Sequence, residues 1–571
     1  MKKIIPVLVA IVLIIVVAAV GFGSIIIEKY SYSKERADLD EYFGVVGADD
    51  VPIILQDERI EEHAKIWNNV CYFDFATVHL YFSDRFYEDK QEGLLLYALP
   101  DSIVRTEIGS SQLVTGYTGT DEGTIEDAGY VISRYEGDVL YVAADFVKKY
   151  ANFSYELFTD PYHMQVYTEW NERQTADIIK DTQVRYQGGI KSDILTDVAE
   201  GDSVIILEEM ENWTKVKTQD AYIGYVENKR LSDKYSVKPV PVTDYTEPEY
   251  KGNTRDYKIN LAWHAIYSVA GNDTLKEAIA STQSVNVISP TWFVLTGNEG
   301  DFTSFASSAY VTNAHEMGLE VWALISDITE SETINMYELL GRTSTRTQLI
   351  DNLITTALEY DLDGINIDFE SIGNDTGEAF IEFIRELSIP CRENGIVLSV
   401  DNYVPMGYNN FYHRKEQGLV ADYVIIMGYD EHHGNSTETG SVASINFVES
   451  GIAKTVEEVA PEKVINAIPF YTRIWETNGT QITSQVVGME MAAEYLKNHA
   501  IEAKWDEITC QNYGEYQSGN SYFQVWLEDA ESIKVKLSVM DNYHIGGVAE
   551  WRLGLETPSV WEVIADYVNK N

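Results

Sequence analysis

Three cysteines in 571 residues, Cys71, Cys391 and Cys510, are too few and too scattered for a disulfide framework or a thiolate metal cluster, and they read as small buried hydrophobes. No histidine cluster has ligand spacing. Glu431-His432-His433 sets two imidazoles next to each other, where they point in different directions, and no His-Glu-x-x-His motif supports them, so neither a metal nor another cofactor is expected. Positive charge is also short: 42 Lys and Arg against 91 Asp and Glu leave a formal net charge of −49, which excludes nucleic acid as a partner and predicts repulsion from acidic polymers unless the site is locally different. A phosphate-cradling glycine-rich loop and a serine nucleophile elbow are both missing. What remains is a chain with ample apolar and aromatic residues for sizeable cores, long enough for three or four domains.

The most informative stretch is Tyr360-Asp-Leu-Asp-Gly-Ile-Asn-Ile-Asp-Phe-Glu370. Side chains alternate along a strand, so Asn366, Asp368 and Glu370 share one face while Ile365, Ile367 and Phe369 share the other. That pattern suits a barrel strand with its apolar face on outer helices and its polar end at the barrel mouth, where a (β/α)8 barrel keeps its chemistry. Two neighbouring carboxylates on one rigid strand cannot both ionise freely, so the pKa of one should rise, as a general acid requires at neutral pH. The plainer alternative is a buried strand whose acids only cap and hydrogen-bond.

Asp363-Gly-Ile-Asn366-Ile-Asp368-Phe-Glu370 resembles the Asp-x-x-Asp-x-Asp-x-Glu signature of glycoside hydrolase family 18, the chitinase-like family. Further pieces follow in order: Ile425-Ile-Met427-Gly-Tyr429-Asp430 is similar to the family's Met-x-Tyr-Asp strand, Ala467-Ile-Pro469-Phe470-Tyr471 to its Pro-Phe-Tyr strand end, and Gly546-Gly-Val-Ala-Glu550-Trp551 to its last strand. The resemblance implies substrate-assisted retaining hydrolysis, in which the substrate's own 2-acetamido oxygen attacks the anomeric carbon. Glu370 would be the acid and then the base. Asp368 would orient the acetamido group, Tyr429 would hydrogen-bond its oxygen with Asp430 in support, and Trp551 would floor the sugar ring. Met427 shares the strand face of Tyr429, and Tyr471, Tyr403 and Trp263 stand at strand ends where they would add to the cleft. One position departs from the signature. An Asp at 366 could share a proton with Asp368, whereas Asn366 can only donate a hydrogen bond, so Asp368 is expected to stay ionised throughout, with altered pH dependence and retained activity.

The rest of the chain organises around that barrel, expected over 253–571. Eight apolar strands, beginning at Ile259, Val285, Glu320, Gly364, Ile396, Tyr423, Val464 and Gly547, alternate with segments of helical period such as 345–360 and 377–387. The roughly seventy residues between strands seven and eight exceed one crossover, and the strand-like 522–526 points to a small inserted subdomain. Three prolines make 236–252 an extended linker. Residues 173–235 carry five short strands and resemble the bacterial SH3-like domain, a small all-β barrel; Tyr186, Trp213, Tyr222 and Tyr225 could line a groove for a cell-wall peptide. Residues 28–172 read as strands at 51–55, 78–82, 94–97 and 139–142 with a helix at 143–151, an α+β pattern similar to copper-amine-oxidase-like N-terminal domains, with no metal implied.

Residues 4–27 are nearly all apolar behind Met1-Lys2-Lys3, long enough for a transmembrane helix. The lysines place the N-terminus inside and the bulk outside, as in a single-pass anchor in the cell membrane of a Gram-positive bacterium. A cleaved signal peptide would have a shorter apolar core and a small-residue cleavage site. The expected function is an extracellular hydrolase of β-1,4-linked N-acetylhexosamine polymers, peptidoglycan before chitin. The alternative is a non-catalytic wall-carbohydrate scaffold.

Overall fold

The computed structural model describes residues 5–116, 123–243, 245–328 and 334–570, with side chains at 8–17 and from 28 onward. They form two compact units that interleave along the chain: one gathers 1–84, 108–112 and 127–247, the other 85–107, 113–126 and 248–571. The split therefore falls inside the stretch 28–172 that the sequence suggests as one domain.

In the first unit a seven-stranded sheet pairs Asp50–Leu55 in parallel with His163–Tyr167 and antiparallel with Glu58–Trp67. Residues 78–82, expected as a strand, are helical within Phe75–Tyr81, because the Asp74 carboxylate caps the helix by accepting from the Thr77 amide and hydroxyl. The SH3-like strands form as expected, from Thr182–Arg185 to Ile223–Glu227. Residues 33–43 lie along that small barrel: the Ala37 amide donates to the Ile194 carbonyl, and the Tyr42 hydroxyl donates to the Ile223 carbonyl while accepting from its amide. Phe43 is buried against Tyr222 and His163. Tyr222 is thus a core ring under the chain's own segment, whereas Tyr186 stays half-exposed and Trp213 and Tyr225 are partly buried.

The anchor expected over 1–27 lies largely outside the described side chains. The backbone is helical over Ile5–Tyr30, and among the described residues no helix is long and apolar enough to cross a membrane.

The second unit is a closed, parallel eight-stranded barrel: Ile259–His264, Val287–Pro290, Glu320–Ser326, Gly364–Asp368, Val397–Tyr403, Tyr423–Met427, Val464–Pro469 and Gly547–Trp551, closed by pairing of the first strand with the eighth and of the second with the third. Outward residues such as Ile365, Ile367 and Phe369 join the main core beneath the helices, while Leu261, Trp263, Trp322, Leu324, Ile425 and Ala467 fill the interior. Between strands seven and eight, a five-stranded antiparallel sheet carries the helix Met489–Asn498 on a small core of Ile474, Val487, Leu496 and Val525.

A second five-stranded sheet, with strands Phe86–Asp89, Leu94–Ala98, Ile103–Glu107, Gln112–Gly116 and Thr124–Asp127, packs on the barrel's helices and buries Tyr87, Leu96 and Ile103 in the barrel core. The Asp89 carboxylate accepts from the Thr343 amide and hydroxyl, both at 2.7 Å, and the Arg392 guanidinium donates to the Pro100 carbonyl at 2.8 Å. This cover explains why the helix Gly377–Asn394 is buried on its charged side too. Beneath the sheet lie three arginines and three glutamates: Arg346 with Glu386 at 2.9 Å, Arg385 with Glu382 at 3.2 Å, and Arg385 and Arg85 with Glu416 at 2.8 and 2.7 Å. Burial pushes Glu382 up to about 7, with Glu386 adding to the shift and Arg385 and Arg346 opposing it, whereas Glu416 is held below its ordinary range by Arg385 and Arg85 despite its burial.

Removing one member of such a cluster leaves an uncompensated buried charge. Arg346→Met should lower stability by about 3–5 kcal/mol, and Arg346→Met with Glu386→Met should recover most of the loss. Urea unfolding followed by tryptophan fluorescence reads both, and a single variant as stable as the parent would contradict the assignment.

Candidate active site

Strand four carries the signature. Its first acid, Asp363, lies at the strand's base, where its carboxylate accepts from the His315 ring and the Val321 amide, both at 2.8 Å. It fastens strand four to strand three and its preceding helix, remote from the chemistry. Asn366 is completely buried and uses every hydrogen-bonding site it has: its oxygen accepts from Trp263 Nε1 at 2.9 Å and Ser289 Oγ at 3.3 Å, and its nitrogen donates to Ser399 Oγ at 3.1 Å and Asp401 Oδ1 at 2.8 Å. An indole N–H can only donate, so the amide orientation is fixed. Neither N–H remains for Asp368.

Asp368 and Glu370 open onto a pocket of about 120 Å³ that is also lined by Asp401, Tyr403, Tyr429 and Trp551. Among the described residues, no Lys, Arg or His lines it. Burial first, then the charges of Asp401, Glu370 and Asp327, push Asp368 well above the usual carboxylate range. The expectation that Asp368 stays ionised takes position 366 as its partner; Asn366 is committed elsewhere, and burial, ahead of the neighbouring carboxylates, works against the ionised form of Asp368. Glu370 is also raised, by burial and by Asp327 and Asp430, while the hydrogen bond donated by the Tyr403 hydroxyl to Glu370 Oε2 acts in the opposite direction.

The remaining residues expected at the site converge on it. Tyr429, Met427, Asp430, Tyr471, Tyr403, Trp263 and Trp551 all line the same pocket. The Tyr471 hydroxyl donates to Asp430 Oδ1 at 2.7 Å, holding Asp430 in a left-handed backbone turn (φ 60°) just past strand six. Trp263 is almost fully buried; its edge meets the Trp551 ring at 5.7 Å between centroids, so it supports Trp551 and locks Asn366. His432 bonds the Ser441 carbonyl through Nδ1, and His433 turns toward Asn435 and Ser436.

Two residues at the site escape the sequence reading. Asp327, just past strand three, accepts from the Glu370 and Ser371 amides at 2.8 and 2.7 Å and so fixes the backbone that carries Glu370. Asp401 stands on strand five, whose alternation Ser399, Asp401, Tyr403 repeats that of strand four; this pattern was the available signal. Clefts lie on both sides of Glu370. One of about 600 Å³ runs from Asp368, Glu370 and Trp551 to the apolar Phe293, Leu295 and Phe305, and one of about 510 Å³ runs from Tyr403, Tyr429 and Asp430 to Tyr408, Phe411 and Phe447.

Tyr403→Phe removes the hydrogen bond that favours ionised Glu370, so the Glu370 carboxyl should titrate at higher pH in the variant. Carboxyl ¹³C titration of glutamate-labelled protein measures this, and an unmoved Glu370 would show that the bond carries no weight.

The model of the glycosyl hydrolases family 18 matches residues 242–556, more than half the chain, and that of the bacterial SH3 domain matches 180–232. The uncharacterized glycosylase YvbX of Bacillus subtilis is 27% identical over 294 residues, 49% of this chain and 84% of that protein. The cortical fragment-lytic enzyme of Bacillus anthracis is 24% identical over 239 residues, 40% of this chain and 55% of that protein. Among solved structures, the Bacillus cereus spore cortex-lytic enzyme SleL shares the fold at a TM-score of 0.50 and 20% identity, covering 58% of this chain and 79% of that one. A family match that spans more than half the chain shows that the chain belongs to the glycosyl hydrolases of family 18 and is a glycosidase.

Proposed function

We propose that this glycosidase cleaves β-1,4 bonds in N-acetylglucosamine-containing wall polymers, peptidoglycan in preference to chitin, by substrate-assisted retaining hydrolysis. The observation that carries the reading is the pairing of a raised Glu370 carboxyl with Asp368 in a small pocket beside Trp551, with clefts extending to either side for a polymer. Glu370, whose carboxyl burial raises above its ordinary range, donates its proton to the glycosidic oxygen. The substrate's acetamido oxygen attacks the anomeric carbon from below, Asp368 stands against the charge growing on the acetamido nitrogen, and the Tyr429 hydroxyl donates to the acetamido oxygen. Glu370, now a carboxylate, takes a proton from the water that opens the intermediate. Trp551 covers the C–H face of the sugar.

Peptidoglycan is favoured over chitin because relatives over the barrel bear cortex- and cortical fragment-lytic names, and because a wall-type SH3-like domain precedes the barrel. The apolar run 4–27 behind two lysines supports a membrane anchor that keeps the enzyme on the outer face of the cell. A wall peptide would meet the SH3-like domain at Tyr186, Trp213 and Tyr225, the rings that Tyr42 and Phe43 leave partly open.

Reducing-end release from purified peptidoglycan and from chitin oligomers tests the reading, using protein that retains 85–126, since that sheet closes over the barrel. Glu370→Gln should lower turnover by roughly 10²–10⁴-fold. De-N-acetylated substrate should resist cleavage by the parent. Undiminished turnover in Glu370→Gln would refute the acid assignment, and binding without turnover of either polymer would favour a carbohydrate-binding scaffold.

A further inference from the structure

Strand four and strand five each aim a carboxylate into one pocket. Asp368 and Asp401 are 8% and 2% exposed, both line the same space of about 120 Å³, and the titratable groups acting on them are Glu370, Asp430, Tyr403, Tyr429 and Tyr471 around that space and Asp327 behind Glu370, none of which brings positive charge at neutral pH. Two carboxylates so placed cannot both ionise, and they titrate as a pair that retains one proton.

The surroundings of the two acids differ in a way that assigns the proton. Asp401 Oδ1 receives the Asn366 amide N–H at 2.8 Å, a bond that favours the ionised form, whereas among the described residues no side-chain donor reaches Asp368. Trp263 and Ser289 hold the Asn366 amide from the opposite side, so this donor cannot turn toward Asp368. This donor favours the charge on Asp401 and leaves the proton to Asp368 in the resting site.

We propose that Asp401 is a positioning residue that acts through Asp368: the pair holds a single proton, and Asp401 accepts it when Asp368 must carry charge opposite the acetamido nitrogen. The transfer breaks one O–H bond on Asp368 and forms one on Asp401, with no change in the pair's net charge and no external acid or base. When the intermediate opens, the proton returns. The inference rests on the acetamido role given to Asp368 above, but the shared proton itself exists with or without substrate.

Two measurements test it separately. The first is infrared spectroscopy of the substrate-free full chain at neutral pH. A protonated-carboxyl band present in the parent should vanish in Asp401→Asn, because Asp368 then ionises, and the same band should vanish in Asp368→Asn. Its survival in Asp401→Asn would overturn the proposal, since burial alone would then hold the proton on Asp368. The second is the pH profile of turnover. Asp401→Asn should lower kcat roughly tenfold or more and move the acidic limb down by about one unit or more, because a neighbouring negative charge has been removed from Asp368. Asn366→Asp in the Asp401→Asn background returns a carboxylate to the pair and should restore the limb. A uniformly lower kcat with an unmoved limb, or no rescue by Asn366→Asp, would reduce Asp401 to a packing residue. If the parent cleaves no N-acetylglucosamine polymer, the proposed reaction fails while the infrared result still decides the pair.

Discussion

The site depends on the desolvation of carboxylates that have no cation opposite them. Asp327, Asp368, Glu370 and Asp401 gather at one end of a barrel, each raised above its ordinary range, with burial the leading cause every time. Such crowding is unfavourable for folding at neutral pH, because the folded state must keep protons the unfolded chain would release. It persists because strands three, four and five fix the backbone from which the four acids project, and because hydrogen bonds are shared out unequally among them. Asp327 receives two backbone amides, Glu370 receives a tyrosine hydroxyl, Asp401 receives an amide N–H, and Asp368 receives no side-chain donor among the described residues. That inequality turns four similar acids into groups with different tasks.

Rigidity at the mouth has a counterpart on the barrel's flank. The helix after strand four, Gly377–Asn394, packs Phe380, Phe383, Ile384 and Leu387 into the main core and carries Glu382, Arg385 and Glu386 into the charge cluster. Left uncovered, that charged side would be an ordinary solvated helix face. The overlying sheet removes it from water, and three guanidinium groups lie against three glutamates there. The barrel is thus completed by a segment well over a hundred residues upstream of its first strand, and its limits in space are not its limits in sequence.

This division explains what could and could not be read from the chain. Strand alternation has a period of two, so the faces of Asn366-Ile-Asp368-Phe-Glu370 were legible from residue types alone, and the eight parallel strands were visible as apolar runs. Tyr429, Tyr471 and Trp551 were found because they sit at strand ends in recognisable pieces. Asp327 was missed because it acts through backbone amides of another strand, a contact that leaves no local pattern. The helix at Phe75–Tyr81 was read as a strand because Val78, Leu80 and Phe82 alternate; the cap supplied by Asp74 decided otherwise. The docking of 85–126 on the barrel is a long-range packing event that no local window contains.

Asn366 shows how a departure from a signature can preserve its physics. Read alone, the loss of a carboxylate beside Asp368 means a simpler acid with an ordinary titration. In the folded barrel, a carboxylate stands instead on the adjacent strand, within hydrogen-bonding distance of the very amide that replaced the acid. An Asp at 366 together with Asp401 would bring a third buried negative group to the pair, with Trp263 and Ser289 as its only donors besides the Ser399 hydroxyl. An Asn at 366 supplies the N–H that Asp401 needs and adds no charge. With a carboxylate on strand five, strand four is better served by an amide at position 366, and a negative group still stands beside Asp368.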